Sequence, residues 1–396
     1  MSGPLAGVRV LDFGQYVAVP FATMLLADLG ADVIKVEPPA GDQWRRYDPI
    51  EPGESRHFYA LNRNKRSVAL DLKAAAGRRA SAELISGADA VVHNCLPARA
   101  RLFGLDREAV LAVNPRCVWV NVSAFGSEGP DSERPAYDLI SQALSGLLAA
   151  QPRLGDSVPR RMGGLAVADF MAGSLAAISV LAGLVSRDGE ACGVEVSLLG
   201  AALSLQAQRF VDTRRKDRTV ATEPLDSGSL ERLARSLAQA ERLDPYYRVH
   251  LCGDGGFVAV ACLNPPQRRA VCSIFGLEDP YVEDPQAPPT DAAELASRMR
   301  HASRIEQGFL ELTLSQAVRG LAEVGVPAAE VRRLEQLFAD PQANANGLVQ
   351  TVEQSVGPVA LLGNVFKVDG RAEPARRGAP GLDEHRAELL DSGSSE

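Results

Sequence analysis

The chain has 396 residues, of which 46% are hydrophobic and 23% are charged, and its net charge is −8. This composition is typical of a globular protein, and the length suits about two domains rather than one core. The negative charge argues against a nucleic-acid-binding protein, because such a surface needs an excess of basic residues. A polyanionic ligand would need a local basic patch.

The cysteines, histidines and apolar residues show no pattern typical of a disulfide-rich, zinc-binding or membrane protein. No run of about 18 apolar residues and no secretory leader is evident, so the sequence predicts a cytoplasmic protein without a membrane span. The six cysteines include no CxxC pair, which favours reduced thiols. The five histidines lack the spacing of zinc ligands, so we expect no metal.

The N-terminal part of the chain alternates short apolar runs with helical patterns. Strands are predicted at residues 8–13, 32–37, 67–72, 90–93 and 118–122, and helices at 20–29 and 74–85. Strands separated by helices are typical of a parallel sheet that is covered on both faces. The sequence therefore predicts an α/β fold, with a doubly wound parallel-sheet large domain over residues 1–212.

Small residues dominate the next two predicted helices, at residues 139–149 and 169–186. Alanine and glycine allow such helices to pack closely, and a third helix is predicted at residues 194–212. Residues 213–240 carry many charges. This composition predicts a linker.

A second, smaller α/β domain is predicted over residues 241–327. Strands at 247–251 and 257–262 flank a glycine-rich turn, which is a hairpin signal, and helical segments follow them. Residues 328–396 are rich in loops and end in a small, polar tail that we expect to be disordered.

The loop after the first strand lacks the usual cofactor motifs of α/β proteins. The segment from Asp12 to Ala18 contains one glycine, whereas a dinucleotide-binding loop has the pattern GxGxxG. The chain also has no Walker A motif and no GxSxG nucleophile motif. The α/β architecture is therefore predicted without a nucleotide cradle or a hydrolase serine.

Motifs along nearly the whole chain carry a resemblance to a known family. They include LLADLGADVIKVEPPAGD at residues 25–42, NRNKRSVALDLK at 62–73, SAFGSEGP at 123–130, AYDLISQALSG at 136–146, ADFMAG at 168–173 and APGLDEHRAELL at 379–390. In this order they resemble the family III CoA-transferases, which include formyl-CoA transferase, carnitine CoA-transferase and α-methylacyl-CoA racemase. The resemblance implies that residues 328–396 return to the large domain and that two chains form an interlocked homodimer.

The residue that matches the family's nucleophile is Asp169. The resemblance implies that its carboxylate attacks an acyl-CoA thioester, and that CoA reaches a free carboxylic acid through mixed anhydrides and an aspartyl-CoA thioester. Asp169 precedes a helical run, whose N-terminus would favour the ionised carboxylate. Gly163 and Gly164 would let a bulky thioester approach. From the residues alone, Asp169 is equally well explained as a helix N-cap.

The resemblance also implies two sets of binding residues. The substrate-binding positions are Gln15, Tyr16, Val17, Ala18 and Tyr137. The CoA-binding positions are Asn64, Lys65, Arg66, Leu70, Lys73, Asn94 and Arg101. A solvated basic turn is the alternative for residues 64–66. The resemblance implies no permanently bound cofactor, since coenzyme A enters as a substrate, and the partners are an acyl-CoA donor and a carboxylic-acid acceptor.

Departures from the family pattern separate three hypotheses. The racemase has His where this chain has Tyr137 and Glu where it has Asn264, which favours CoA transfer over racemisation at the α-carbon. Pro38 and Leu102 stand where formyl-CoA transferase has arginines. These two positions leave a non-catalytic acyl-CoA-binding relative as a third alternative.

Four arginines outside these motifs are candidates for binding the acceptor acid. A guanidinium that binds a carboxylate in a bidentate manner is a common recognition device. The arginines that could hold a second carboxylate in this way are Arg45, Arg46, Arg160 and Arg161. They make a succinyl-type donor or a dicarboxylic acceptor a further hypothesis.

Overall fold

The structure is a computed structural model that describes residues 3–150, 152–156, 158–162, 164–186, 192–211, 224–285 and 287–390. Gly163, the first part of the predicted linker and the predicted tail after residue 390 lie outside the described residues.

The β-strands of the described residues are β1 Arg9–Phe13, β2 Asp32–Glu37, β3 Pro49–Glu51, β4 Glu54–Ser55, β5 Lys65–Ala69, β6 Ala90–His93, β7 Val118–Ser123, β8 Cys192–Ser197, β9 Tyr247–Leu251, β10 Phe257–Ala261, β11 Ala328–Glu330, β12 Val349–Gln354 and β13 Gly357–Leu362. The α-helices are α1 Ala18–Asp28, α2 Arg56–Asn62, α3 Ala75–Ser86, α4 Pro97–Phe103, α5 Arg107–Val113, α6 Asp138–Leu144, α7 Val167–Ser186, α8 Leu198–Ser204, α9 Ser227–Leu243, α10 Pro265–Ile274, α11 Ala292–Leu310, α12 Leu314–Glu323, α13 Pro341–Ala345 and α14 Arg386–Leu390. Short 3₁₀ helices lie at Gln43–Arg46, Leu147–Ala149 and Leu334–Ala339.

The chain divides into two compact units. The first comprises Met1–Leu148, Arg161–Arg218 and Phe338–Glu396, and the second comprises Ala149–Arg160 and Thr219–Leu337. Each unit therefore contains segments that are distant in sequence.

The first unit is built on a six-stranded parallel sheet in the order β5-β2-β1-β6-β7-β8. Chain order runs outward in both directions from the neighbouring strands β1 and β6. This reversal opens a crevice beyond the carboxyl ends of the two strands, which is where open α/β sheets bind ligands. The predicted doubly wound sheet is confirmed.

Alternate residues of each central strand face opposite sides of this sheet. Val10 and its neighbours pack against α1, α7 and α8, while Leu11 and its neighbours pack against the helices on the other face. Because both faces are covered, the central strands β6 and β7 are mostly apolar, whereas β2 and β5 carry buried charges such as Lys35 and Lys65.

Among the described residues, α7 is the one helix long and apolar enough to cross a membrane by length and composition alone, a test that the core helix of a globular fold also passes. In this fold its small residues pack against the sheet. A Cβ on Gly183 would lie 2.4 Å from Val118 Cγ1, and one on Gly173 would lie 2.5 Å from the Ala18 carbonyl oxygen. The glycines therefore permit the close contact that makes α7 part of the core.

Two predictions made from residue patterns are wrong. Residues 194–212 do not form one helix, because the alternating stretch Cys192–Ser197 pairs with β7 as the edge strand of the sheet before α8 begins. The region 213–240 is not simply a linker, because α9 begins at Ser227. This helix is amphipathic: it buries Leu230 and Ala234 and directs its charges outward.

The second unit contains an antiparallel sheet in the order β11-β10-β9, with helices α9 to α12. Its core includes Val258 and Phe309. The predicted hairpin is formed by β9 and β10.

The C-terminal segment contacts the edge strand β5 in the first unit. The amide of His385 donates to the Ser67 carbonyl oxygen over 3.0 Å, and the amide of Ala69 donates to the Asp383 carboxylate over 2.7 Å. These bonds cover a strand edge that would otherwise expose unpaired backbone groups.

Candidate active site

A cavity of about 390 Å³ lies in the first unit, at the crevice where the strand order reverses. The loops after β1, β5, β6 and β7 line it, together with the start of α7. Its polar lining residues include Gln15, Tyr16, Lys73, Asn94, Arg99, Ser123, Ser132, Tyr137 and Asp169.

Asp169 is the third residue of α7, so it lies in the first turn of the helix rather than at its cap. Its carboxylate accepts no hydrogen bond from the residues that the structure describes. Burial and, to a smaller extent, the nearby carboxylate of Asp138 together raise the pKa of Asp169 to about 7. The helix N-terminus is predicted to favour the ionised carboxylate, but burial and the like charge of Asp138 shift the net pKa in the opposite direction.

A raised pKa suits a carboxylate that acts as a nucleophile. A more basic carboxylate attacks more readily, and a group with a pKa of about 7 is still substantially ionised near neutral pH. Such perturbed groups in a cleft are characteristic of functional sites.

Asp138 fixes the start of α7 and so the position of Asp169. Its Oδ1 accepts from the amide of Ala168 over 2.8 Å, and its Oδ2 accepts from Gln142 Nε2 over 2.5 Å. Asp138 thus accepts a hydrogen bond from one of the backbone N–H groups at the start of α7 that have no partner within the helix. The sequence analysis missed this role, although the residue directly follows the predicted Tyr137.

The loop after β1 is held in an uncommon backbone conformation. Tyr16 has a φ of 67°, in the left-handed region that few residues other than glycine adopt. The Asn94 side chain accepts from the Gln15 amide over 3.1 Å and donates to the Gln15 carbonyl oxygen over 2.9 Å. Asn94 therefore joins the ends of β1 and β6 at the cavity wall.

Aromatic side chains cluster around the loop after β1. The ring of Tyr16 makes edge contacts with Trp44 at 5.4 Å and with Tyr137 at 5.5 Å between centroids. Burial raises the pKa of Tyr16 to about 12, and the neighbouring Tyr137 contributes to the rise, so Tyr16 stays a neutral hydroxyl. Tyr137 is 65% exposed and remains accessible to a ligand.

The structure brings eight of the predicted site residues to this cavity. They are Gln15, Tyr16, Ala18, Leu70, Lys73, Asn94, Tyr137 and Asp169. Val17 is buried at the start of α1 and does not line the cavity.

Three predicted CoA contacts are directed elsewhere, which corrects their assignment. Lys65 is completely buried, and its Nζ binds Asp12 over 2.9 Å. Arg66 pairs with Asp32 at 2.5 Å, and the side-chain Nδ2 of Asn64 donates to Asp28 Oδ1 over 2.8 Å. Buried ion pairs and hydrogen bonds hold these side chains in place, so neither CoA contact nor the alternative of a solvated turn fits them.

Helix α4 presents a cation that the sequence analysis did not select. Arg99 lines the cavity, whereas Arg101 lies outside the lining and pairs with Glu133 at 3.0 Å. Lys73 also lines the mouth, and neither it nor Arg99 has a side-chain partner among the described residues. Because Arg99 and Arg101 are two positions apart on the helix, their side chains point to different faces.

The arginines considered for a second carboxylate do not line this cavity. Arg45 binds Glu37 in a bidentate manner at 2.8 Å and is buried, so it is already neutralised. Arg46 donates to the carbonyl oxygen of Ala40, and Arg160 pairs with Asp156 in the second unit. Their assignment to acceptor binding is not supported by these contacts.

The remaining predicted features are placed as follows. Gly164 has a φ of 76°, which only glycine adopts easily. Asn264 is the N-cap of α10, because its side chain accepts from the Gln267 amide. Pro38 lines the cavity. No group of three or more His, Cys, Asp or Glu side chains within the described ranges is arranged to hold a metal.

Known enzymes similar to this chain transfer CoA. The chain is 30% identical to succinate–glutarate CoA-transferase of Agrobacterium fabrum, over 98% of this chain and 95% of that enzyme. It is 30% identical to human succinyl-CoA:glutarate CoA-transferase, over 98% and 85% of the two chains. It is 28% identical to acetyl-CoA:oxalate CoA-transferase of Acetobacter aceti, over 98% and 95%.

Solved structures agree with these relatives. A CAIB/BAIF family protein from Brucella suis superposes with a TM-score of 0.76 and 27% identity, over 98% of this chain and 100% of that one. A protein from Mycobacterium tuberculosis superposes with a TM-score of 0.78 and 25% identity, over 98% and 99%. The model of CoA-transferase family III matches residues 5–386. The chain therefore belongs to CoA-transferase family III and is a CoA-transferase.

Proposed function

We propose that this CoA-transferase carries CoA from an acyl-CoA donor to a free carboxylic acid through covalent intermediates on Asp169. The observation that carries the proposal is a half-buried carboxylate at the cavity wall that accepts no hydrogen bond from the described residues and has a pKa raised to about 7. Such a group is both basic enough to attack and poorly solvated, which favours reaction with a thioester carbonyl.

The reaction consists of exchanges among carboxylates. An oxygen of Asp169 attacks the thioester carbonyl, the carbon–sulfur bond breaks, and CoA leaves as a thiolate from a mixed anhydride. The thiolate attacks the Asp169 carbonyl, which releases the donor acid and leaves an aspartyl-CoA thioester. The acceptor carboxylate repeats these steps in reverse order. Because donor, enzyme and acceptor are all carboxylates, no ATP is consumed.

The lining of the cavity supports separate roles for its two ends. Asp169 and Tyr137 adjoin the loop residues Gln15 and Tyr16, which we assign to the acyl group. Lys73 and Arg99 are exposed cations at the mouth and are assigned to the phosphates of CoA. Leu70 and Asn94 also line the cavity, and Asn94 is hydrogen-bonded to Gln15.

Trapping of the intermediate tests the proposal. The protein is incubated with an acyl-CoA, hydroxylamine is added, and peptides that contain Asp169 are measured by mass spectrometry. A hydroxamate on Asp169 together with CoA exchange into a free acid is the expected result. Deuterium uptake at the α-carbon without exchange would instead indicate the isomerase alternative, and binding with neither reaction would indicate a non-catalytic relative.

Arg99→Ala is expected to raise the KM for the acyl-CoA about fivefold and to leave kcat nearly unchanged, because a charge-assisted bond to a phosphate contributes to binding alone. Arg101→Ala is the matched control on the same helix, since Arg101 pairs with Glu133 outside the lining. The measurement is the steady-state KM at two salt concentrations. Equal KM values for the two variants would contradict the assignment of Arg99.

A dicarboxylic acid is the proposed acceptor class. The supporting observation is that similar enzymes are named for succinate, glutarate, oxalate and mesaconate. A panel of mono- and dicarboxylic acids, assayed with succinyl-CoA and acetyl-CoA as donors, distinguishes this class from monocarboxylic acceptors.

A homodimer is the proposed assembly. Helices α6 and α7 and the segment after α8 leave apolar side chains exposed in the isolated chain, including Leu139, Leu144, Ile178 and Phe210. Exposed apolar surface of this kind is typical of protein contacts. Light scattering after size-exclusion chromatography measures the mass that tests this assignment.

A further inference from the structure

A buried lysine lies directly beneath the substrate loop formed by residues 14–16. Lys35 is in β2 and its side chain is completely buried. Its Nζ donates to the Gly14 carbonyl oxygen over 3.0 Å and pairs with Asp42 at 2.9 Å. Removing an ammonium from water costs several kcal/mol, and an apolar side chain of similar size would pack at lower cost. We therefore expect the charge of Lys35 to have a role other than packing.

Asp42 connects this ammonium to the other end of the loop. Its Oδ1 accepts from the Tyr16 amide over 3.2 Å and from the Trp44 amide over 2.9 Å, while its Oδ2 faces Lys35. The ion pair thus holds the loop at two points, the carbonyl of Gly14 and the amide of Tyr16. Between these points, Asn94 holds both backbone groups of Gln15.

The loop needs such restraints because its backbone is not in a relaxed conformation. Tyr16 has a φ of 67°, and a left-handed residue other than glycine persists only where the surroundings enforce it. Gly14 has no room for a side chain, since a Cβ there would lie 2.2 Å from Val19 Cβ. Its amide donates to Asp12 Oδ1 over 2.8 Å.

The surrounding charges balance one another. Lys65 pairs with Asp12 at 2.9 Å, while Lys35 lies 4.0 Å from the same carboxylate and 2.9 Å from Asp42. Burial alone would lower the pKa of Lys35, but Asp12, Asp42 and Glu37 hold it above its usual value. Lys35 is therefore a permanent cation at neutral pH and not a proton donor in the reaction.

We propose that Lys35, through its pair with Asp42, is a positioning residue that holds Gln15 and Tyr16 towards the reacting end of the cavity. The inference rests on the proposed function in taking these two residues as contacts of the acyl group. The claim that a buried ion pair fixes the loop does not depend on that assignment.

The test removes both charges together, with the double variant Lys35→Met and Asp42→Asn. A single Lys35→Met change would leave the buried carboxylate of Asp42 without its cation, and we expect that variant to fold poorly. Asparagine keeps an oxygen that can accept from the Tyr16 amide, so the double variant mainly deletes the contact to the Gly14 carbonyl. The matched control is Arg63→Met with Asp28→Asn, which deletes another buried pair of the same unit, at 2.5 Å and away from the loop.

Two measurements report on the loop. Hydrogen–deuterium exchange of a peptide spanning residues 12–18 is expected to become at least about tenfold faster in the Lys35 variant than in the control. CoA transfer is expected to lose about 10- to 100-fold in kcat, because misplaced groups slow the chemical step, with the KM for acyl-CoA within about threefold.

Exchange as slow as in the control variant would overturn the inference, and so would a kcat equal to that of the control. If the unmodified protein transfers no CoA, the proposed function fails, but the exchange measurement still decides whether Lys35 holds the loop. The two failures are therefore distinguishable.

Discussion

Asp169→Asn is expected to lower the kcat of CoA transfer by about 10⁴-fold or more, because an amide cannot form the mixed anhydride. The change keeps the size of the side chain and its place in the first turn of α7. It also abolishes the hydroxamate that hydroxylamine would form on this residue. The measurement is CoA exchange between an acyl-CoA and a labelled free acid.

The same substitution is expected to stabilise the fold at neutral pH. The carboxyl of Asp169 has a pKa of about 7 in the folded protein and an ordinary value when unfolded, so the native state binds the proton more tightly. Its contribution to stability is present at low pH and is lost as the pH rises from about 4 to 7. Asparagine removes this penalty, which we expect to be about 1–2 kcal/mol after solvent screening.

A control separates the nucleophile from a helix cap. Asp106 is the N-cap of α5 and accepts from the Ala109 amide over 3.1 Å, outside the cavity lining. Asp106→Asn should cost little in activity and should not stabilise the fold. Loss of activity with loss of stability in Asp169→Asn would indicate that Asp169 has only a structural role.

The sheet could be predicted from the sequence because most of its strands are short runs that contain several buried aliphatic residues between helical patterns. The predicted strands at residues 32–37 and 90–93 have the same bounds as β2 and β6. The edge strand β8 could not be predicted in this way. Its residues are only half-buried and adjoin α8 without a break, so periodicity merges the two into one helix.

The site was predicted best where motif residues follow a strand of the sheet. Lys73 and Asn94 reach the cavity from the loops after β5 and β6, and Asp169 reaches it from the first turn of α7. Lys65 was assigned wrongly, because a sequence does not reveal that a basic residue is buried in an ion pair with Asp12. Arg99 was missed for a related reason: three arginines lie close together along residues 99–107, and only the orientation of α4 shows which one faces the cavity.

Asp138→Asn is expected to raise kcat/KM at low pH and to lower it at high pH. Asp138 carries the neighbouring charge that helps to raise the pKa of Asp169 to about 7. Without this charge the pKa of Asp169 should fall by about one unit. Asparagine retains an oxygen that can accept from the Ala168 amide, so the start of α7 keeps its hydrogen bond.

The rate follows from the ionised fraction of Asp169 and from its basicity. Below pH 6 more of the carboxylate is ionised in the variant, which outweighs its lower basicity, so its kcat/KM should exceed that of the unmodified protein by about two- to fivefold. Above pH 8 both forms are fully ionised, and the less basic carboxylate of the variant should react about two- to threefold more slowly. The two profiles of kcat/KM against pH should therefore cross.

Asp131→Asn controls for the loss of a surface charge, because Asp131 forms an exposed pair with Arg134 outside the lining. Its profile should coincide with that of the unmodified protein. Parallel profiles for Asp138→Asn, displaced only in height, would mean that Asp138 orients the site without setting the charge state of Asp169. A crossing would assign the acid limb to Asp169, because only a group beside Asp138 would respond to the loss of that charge.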